Sequence, residues 1–432
     1  MKKNTVIVGA GIIGSYCALQ LAETRDPSSI MIVDREPFAY NNASCANMGG
    51  FATCEVRPLA SLHNIWRAIK WLPNPRAPLA LRLRYLPDLL PWLHVFLKSA
   101  VSRRHFDHVV RAQQALMKHA SSAHIERLNG TGLENLISQE GTVCLYKNEK
   151  RRTADWNSRW RLFREQGFDC HRLSTDELRA ALPDLSSRIQ YAIQVPDIRY
   201  WKEPQSLLSG LHNLLGARGV DIRPGEVTGI RRTARSVAAL TLSDEDELPC
   251  SDLIIAAGAW SKSLCRELGD TVPLDTERGY CTSLPDARVR INHLLLLVED
   301  DFVATPMHSG LRLGGTVELA GLDAAPDFSR TALMTEQIRT YFPEINTDDR
   351  TDMIGFRPSV PDGLPVISRA STFDNAYFAF GHGHVGMTQS AITGKLIAQL
   401  ITGENTDDPA LLGIEEYLDS EHKPRSKPDP QR

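Results

Sequence analysis

Three glycines near the start of the chain have the spacing of a phosphate-binding loop. Gly9-Ala10-Gly11-Ile12-Ile13-Gly14 reads G-x-G-x-x-G, and Asp34 follows 20 residues after Gly14. In such a loop the first glycine makes the tight turn, the second lets the backbone approach a pyrophosphate, and the third lets helix and strand pack closely. The anion rests on unpaired N–H groups at a helix N-terminus. A carboxylate at Asp34 takes ribose hydroxyls and repels an added 2′-phosphate. Late in the chain, Gly355-Phe356-Arg357-Pro358 and Gly381-His382-Gly383-His384-Val385-Gly386-Met387-Thr388 again mix glycine with cationic and imidazole side chains.

The loop carries meaning only between the right elements. Thr5-Val6-Ile7-Val8 is a β-branched strand, an apolar-periodic helix runs from about Ile13 to Leu21, and Ile30-Met31-Ile32-Val33 is a second strand ending on Asp34. Beyond it, Arg35 and the small-residue loop Ser44-Cys45-Ala46-Asn47-Met48-Gly49 lie toward the nucleotide. A hairpin is expected from Val227 to Leu242. The strand Asp252–Ile255 then runs into Ala256-Ala257-Gly258-Ala259-Trp260, a second small-residue strand end that a short dinucleotide does not require but the longer FAD does. The pattern turns β-rich from Val272 to Thr316. Tyr377–Phe380 then leads into the histidine turn, followed by a helix stopped at Gly403.

The 432 residues suit two domains, and 42% hydrophobic content supports a substantial core. A net charge of −3 gives no field for nucleic acid. The eight cysteines form no CxxC pair, so zinc, iron–sulfur and disulfide frameworks are not expected. The first strand begins at residue 5 and no run of 18 apolar residues exists, so a cytoplasmic location is expected. The segment from Leu59 to Val101 is distinct. It mixes Trp66, Trp71 and Trp92 with leucines and basic residues, and prolines at 73, 75, 78, 87 and 91 are expected to cut it into short helices. Two readings fit it: a peripheral contact with the inner face of the cell membrane, or amphipathic helices packed on the protein's own core.

These motifs together resemble the D-amino-acid oxidase superfamily of FAD-dependent oxidoreductases, and its bacterial dehydrogenase branch most of all. The likeness rests on the N-terminal fingerprint, Ser44-x-Ala46-Asn47-x-Gly49, Ala68-Ile69-Lys70-Trp71, Ala77-Pro78-Leu79-Ala80, Gly279-Tyr280, Gly355-x-Arg357-Pro358 with Pro361-Asp362-Gly363, and Gly381-His382-Gly383. The resemblance implies an α/β chain, α+β overall. A Rossmann-like FAD-binding domain (1–58, 140–270 and 350–415) would carry a helical insertion (59–139), a mainly antiparallel β-sheet substrate domain (271–349) and a disordered tail (420–432).

It also implies roles. The cofactor would lie along Gly9–Gly14, Asp34, Arg35, Ser44, Asn47, Met48, Gly49, Val227, Ala257, Gly258 and Trp260, with Gly383, His384, Val385, Gly386, Met387 and Thr388 beside the flavin ring. Arg357 would clamp a substrate carboxylate, since guanidinium offers it a planar fork. Tyr280 would bond the carboxylate or wall the pocket, and His382 would stand at the reacting centre. Tyr200, Trp201 and His308 are further pocket candidates, for which packing is an equal reading. Gly355 and Ala46 occupy positions where relatives tether flavin covalently, so FAD would be non-covalent. The implied reaction removes hydride from Cα of a D-amino acid, D-proline and cis-4-hydroxy-D-proline included. Electrons would pass to a quinone or another carrier. The alternatives are a glycine- or sarcosine-type amine oxidase and a non-catalytic FAD-binding subunit.

Overall fold

The computed structural model describes residues 4–38, 42–53, 56–72, 74, 77–165, 167–403 and 425–426. Two sheets organise it. The first has six strands in the order Val366–Arg369, Ala376–Phe380, Asp252–Ile255, Thr5–Val8, Ile30–Asp34 and Asp221–Pro224. Every neighbouring pair is parallel except Val366–Arg369 with Ala376–Phe380. Parallel strands need both faces covered. The helices Ile12–Leu21, Pro204–Arg218, Gly386–Thr402 and Arg103–Leu128 share one apolar cluster with one face. The hairpin Val227–Arg232 and Val237–Leu242 covers the other. A Cβ on Gly394 would lie 2.5 Å from the carbonyl oxygen of Tyr16, so the first and last helices cross in direct backbone contact there.

The second sheet has ten strands and is mostly antiparallel. Its long central pair is Asp275–Leu284 with Thr351–Ser359, in register from Asp275 opposite Ser359 to Ser283 opposite Thr351. The strand pairings draw the domains differently from the sequence. Thr142–Tyr146 pairs with Leu294–Leu297 and with Tyr191–Val195, so the segment 142–195, expected in the cofactor domain, belongs to this sheet. Thr351–Ser359 belongs to it as well. Both differences arise from pairings between residues far apart in the chain, which no local pattern records.

The 59–139 segment is helical, as expected, but is not an independent insertion. Leu79–Leu81 adds a strand beside Val317–Leu319, and Arg103–Leu128 packs on Gly386–Thr402. The segment is cut as expected after Leu62–Trp71, ahead of Pro73, but not at Pro87 and Pro91. Leu86–Val101 runs 16 residues with Pro87 in its first turn and Pro91 inside. Pro87 lacks a donor the first turn does not use, and Pro91 forfeits only the bond to the carbonyl of Pro87. No helix among the described residues is long and apolar enough to cross a membrane. The tail expected over 420–432 lies outside the described residues apart from Arg425–Ser426, whose backbone pairs with Asp270–Thr271.

Candidate functional site

A single cavity of about 720 Å³ runs from the glycine loop to the inner face of the second sheet. At one end, Gly9 has φ of +116°, and a Cβ there would lie 2.3 Å from the carbonyl oxygen of Ala256. Only glycine fits that turn. A Cβ on Gly14 would lie 1.9 Å from the Gly9 oxygen, so Gly14 is the close-packing glycine and stays off the cavity. Gly11 caps the helix Ile12–Leu21 with extended backbone, leaving first-turn N–H groups toward the cavity. Ile12 N–H donates to Ser44 Oγ (3.0 Å).

Asp34 sits at the end of its strand and accepts from Ala10 N–H (2.8 Å) and Glu36 N–H (3.0 Å). Each carboxylate oxygen keeps a second lone pair for a ribose hydroxyl. Arg35 lies over the Trp260 ring at 4.7 Å, and both line the cavity with Val227, Ala257 and Gly258. The glycine cradle, the helix N-terminus and the Asp34 carboxylate form one continuous groove, and this suits FAD. Ala46 and Gly355 both stand on the cavity wall, and a Cβ on Gly355 would lie 3.1 Å from Ala46 Cβ. Neither offers a nucleophile for a covalent flavin link.

Asn47 and Met48 line the cavity, but Gly49 does not. It accepts from Trp201 N–H (2.8 Å) and so fixes the end of the loop. The loop is held mainly by a residue that the sequence did not single out. Arg312, buried on the second sheet, donates to the carbonyls of Cys45 (2.8 Å) and Asn47 (2.9 Å) and pairs with buried Glu203 at 3.4 Å. Thr305 Oγ1 adds a bond to the Met48 carbonyl (2.9 Å).

At the far end Gly383, His384, Gly386 and Met387 line the cavity, while Val385 and Thr388 are turned into the core. Thr388 Oγ1 accepts from Ala52 N–H (3.0 Å), joining this turn to the loop beyond Gly50. His124 supports the turn from outside. Its Nε2 lies 3.1 and 3.0 Å from the carbonyls of Met387 and Thr388, and Nδ1 lies 2.7 Å from Tyr16 Oη. Burial drives its pKa down to about 4, so the ring is neutral and donates through Nε2. His382 is buried on the cavity wall, 2.9 Å from Thr393 Oγ1, and burial lowers its pKa to about 3.

Arg357 reaches the cavity from the central strand pair. Side chains alternate across a strand, so Glu277, Gly279 and Cys281 share a face with Gly355, Arg357 and Ser359. The guanidinium lies over Gly279, where a Cβ would be 2.4 Å from Cζ. It donates to the Thr316 carbonyl (3.1 Å) and keeps its other donors toward the cavity. Burial lowers its pKa and the nearby Glu277 carboxylate opposes that shift.

Tyr280 is a correction. It falls one residue along from Gly279, on the opposite face, and is fully buried. Its hydroxyl donates to Glu318 Oε2 (2.5 Å) and accepts from Asp327 N–H (3.0 Å), away from the cavity. Tyr200 and Trp201 likewise pack in the interior, with Tyr200 bonded to the Asn292 carbonyl (2.7 Å).

Glu277 is the other residue the sequence left unmarked. Burial alone pushes its carboxyl up, but His384, Ser359 and Arg357 more than offset this and hold it at about 2. Ser359 Oγ donates to Oε1 (2.6 Å), and His384 Nε2 lies 2.5 Å from Oε2.

The comparisons agree with this geometry. The family model described as "DAO: FAD dependent oxidoreductase" matches residues 4–400. A D-amino-acid oxidase of Bradyrhizobium diazoefficiens is 32% identical over 413 residues, 94% of this chain and 97% of that protein. A D-amino acid dehydrogenase of Vibrio vulnificus is 26% identical over 96% of this chain and 99% of its own. Among solved structures, L-proline dehydrogenase from P. horikoshii superposes with a TM-score of 0.70 at 15% identity, covering 96% of each chain. A fingerprint loop, a flavin-length groove and a family match over nearly the whole length lead to one conclusion: the chain belongs to the DAO family of FAD-dependent oxidoreductases.

Proposed function

We propose that the protein oxidises a D-amino acid at its Cα–N bond, to an imino acid that hydrolyses to a 2-oxo acid and ammonia or, from a proline-type ring, remains a cyclic imine. The observation that carries this reading is Arg357, a guanidinium with free donors in the flavin cavity. It suits a carboxylate in bidentate geometry. Bound FAD supplies the hydride acceptor, its N5 atom. The protein's part is orientation: Arg357 fixes the carboxylate, and the Gly383–Met387 turn closes the flavin end. The wall formed by Ile198, Leu294, Leu296 and Val303 is apolar. It suits an apolar or ring side chain, so D-proline and cis-4-hydroxy-D-proline rank high among substrates. The names of the relatives at 26–32% identity support the D configuration.

Anaerobic flavin bleaching with a panel of D-, L-, cyclic and N-methyl amino acids tests the reading. D-substrates should bleach the wild type. Arg357→Ala should lower the reduction efficiency by about 30-fold to several thousand-fold, since truncating one partner of a buried charge pair costs about 2–5 kcal/mol. Bound FAD that no amino acid reduces would sink the proposal and leave the non-catalytic subunit.

For the electron acceptor, we favour a quinone or another carrier met at a membrane surface. Leu62, Trp66, Ile69 and Leu72 are exposed on and beside one short helix that buries none of its residues. Lys70 lies on the same helix. An oxidase is the second reading, favoured by the name of the 32%-identical relative. Reoxidation in air against reoxidation by a soluble quinone, with and without anionic vesicles, separates the two.

A further inference from the structure

We propose that His384, oriented by the buried carboxylate of Glu277, takes the proton from the substrate's α-ammonium group before hydride leaves Cα. The inference rests on the amino-acid reading above. An amino acid arrives protonated on nitrogen, and an ammonium has no lone pair to push electrons toward the departing hydride. A group close to where Arg357 holds the carboxylate could accept that proton within the site.

The strand register brings the groups together. Glu277 stands directly opposite Arg357 in the central pair and on the same face. His384 lines the same cavity and meets Glu277 through Nε2. Ser359 Oγ donates to one Glu277 oxygen and His384 Nε2 lies 2.5 Å from the other, and a carboxylate can only accept hydrogen bonds. Nε2 of His384 therefore carries the hydrogen, and in the neutral ring the lone pair sits on Nδ1. Nδ1 takes no hydrogen bond among the described residues, and the side chain is 45% exposed. Glu277 is buried, bonded to Ser359 and His384, and does not line the cavity, so it acts through the imidazole rather than on substrate.

A buried carboxylate on the far nitrogen of an imidazole sets its tautomer and supports the imidazolium that forms. In the step, an N–H bond of the ammonium breaks and an Nδ1–H bond forms. One positive charge moves from the amine to the ring, beside the Glu277 anion. Among the described residues of the two packed strands, Glu277 bonds His384 and Arg357 lines the same cavity. His382 on its own turn is neutral and bonded to Thr393. His384 is thus a catalytic residue and Glu277 a positioning residue.

Stopped-flow anaerobic reduction at saturating D-amino acid, followed from pH 6 to pH 10, tests this in the holoenzyme. The wild type should show an acidic limb that levels off. His384→Asn should fall about 10²- to 10⁴-fold at pH 7. Its rate should climb with pH toward the wild type as free amine replaces ammonium, and added imidazole should restore part of the loss. Glu277→Gln should move the limb rather than only lower the plateau. Flavin content and the spectral shift caused by a carboxylate that lacks an amine should survive in His384→Asn and report an intact site. A His384→Asn profile parallel to the wild type overturns the dyad and leaves the amino-acid reading standing. A wild type that no amino acid reduces overturns both.

Discussion

The two ends of the cavity are built from different materials. The nucleotide end is mostly backbone: a glycine turn, helix N–H groups and the Asp34 carboxylate, itself held by two backbone amides. The flavin and substrate end is made of charged and titratable side chains, with Arg357 and His384 on the cavity wall, Glu277 buried behind His384, and Arg312 paired with Glu203 beneath. Backbone amides cannot titrate, and their geometry fails only when the chain itself is bent away. Side-chain charges shift with pH and can be removed one at a time. One molecule thus joins a rigid, pH-indifferent cradle for the cofactor to a tunable electrostatic site for the substrate.

The sharpest way to break that contrast is at Gly9. Gly9→Val places a branched Cβ against the Ala256 carbonyl in a φ that valine avoids. Backbone strain of about 1–3 kcal/mol plus the clash should lower FAD occupancy at least about tenfold, read as the flavin-to-protein absorbance ratio. A variant that keeps its flavin would show that the cradle is not the rigid part.

A middle-sized effect concerns acid. His124 has a folded pKa of about 4 against an ordinary 6.5. Its neutral form therefore contributes stability that is fully present above pH 6.5 and lost as pH falls through about 4. The amount is on the order of 3 kcal/mol. His382, depressed to about 3, acts in the same direction, and Glu277, depressed to about 2, adds its loss at still lower pH. Urea midpoints between pH 8 and 4 should fall in the wild type and fall less steeply in His124→Gln. Equal slopes would mean that acid acts elsewhere.

The smallest effect sharpens the boundary of the substrate end. Tyr280→Phe should leave reduction kinetics within about twofold and cost about 1–3 kcal/mol in stability, because Glu318 loses a buried donor and Asp327 N–H an acceptor. A large rise in substrate Kd would return Tyr280 to the pocket.

The same contrast governs what could be read from the sequence. The cofactor loop lies within some thirty contiguous residues, so strand, glycines, helix and Asp34 are visible in their spacing. The substrate end depends on register, where a shift of one residue exchanges the two faces. Gly279-Tyr280 marked the right strand, but the face holding Arg357 belongs to the glycine, whose missing side chain makes room for the guanidinium. Glu277 gains its meaning only from lying opposite Arg357, and Arg312 only from reaching a loop more than 260 positions earlier. Thr142–Tyr146 pairs with a strand some 150 residues on, which is why the domain boundaries drawn from the sequence miss it.

The hold of Arg312 on the carbonyls of Cys45 and Asn47 has a mechanical consequence. The loop it grips begins in the nucleotide half of the protein, and the arginine belongs to the other sheet. Pulling the halves apart would strand two carbonyl acceptors and leave Arg312 and Glu203 each without its counter-charge, and breaking a buried pair of this kind typically costs about 3–5 kcal/mol. The two lobes are riveted at the point where cofactor and substrate meet. A molecule assembled from interleaved pieces of chain should therefore melt in one step, and flavin release should wait on that rivet as much as on the glycine cradle.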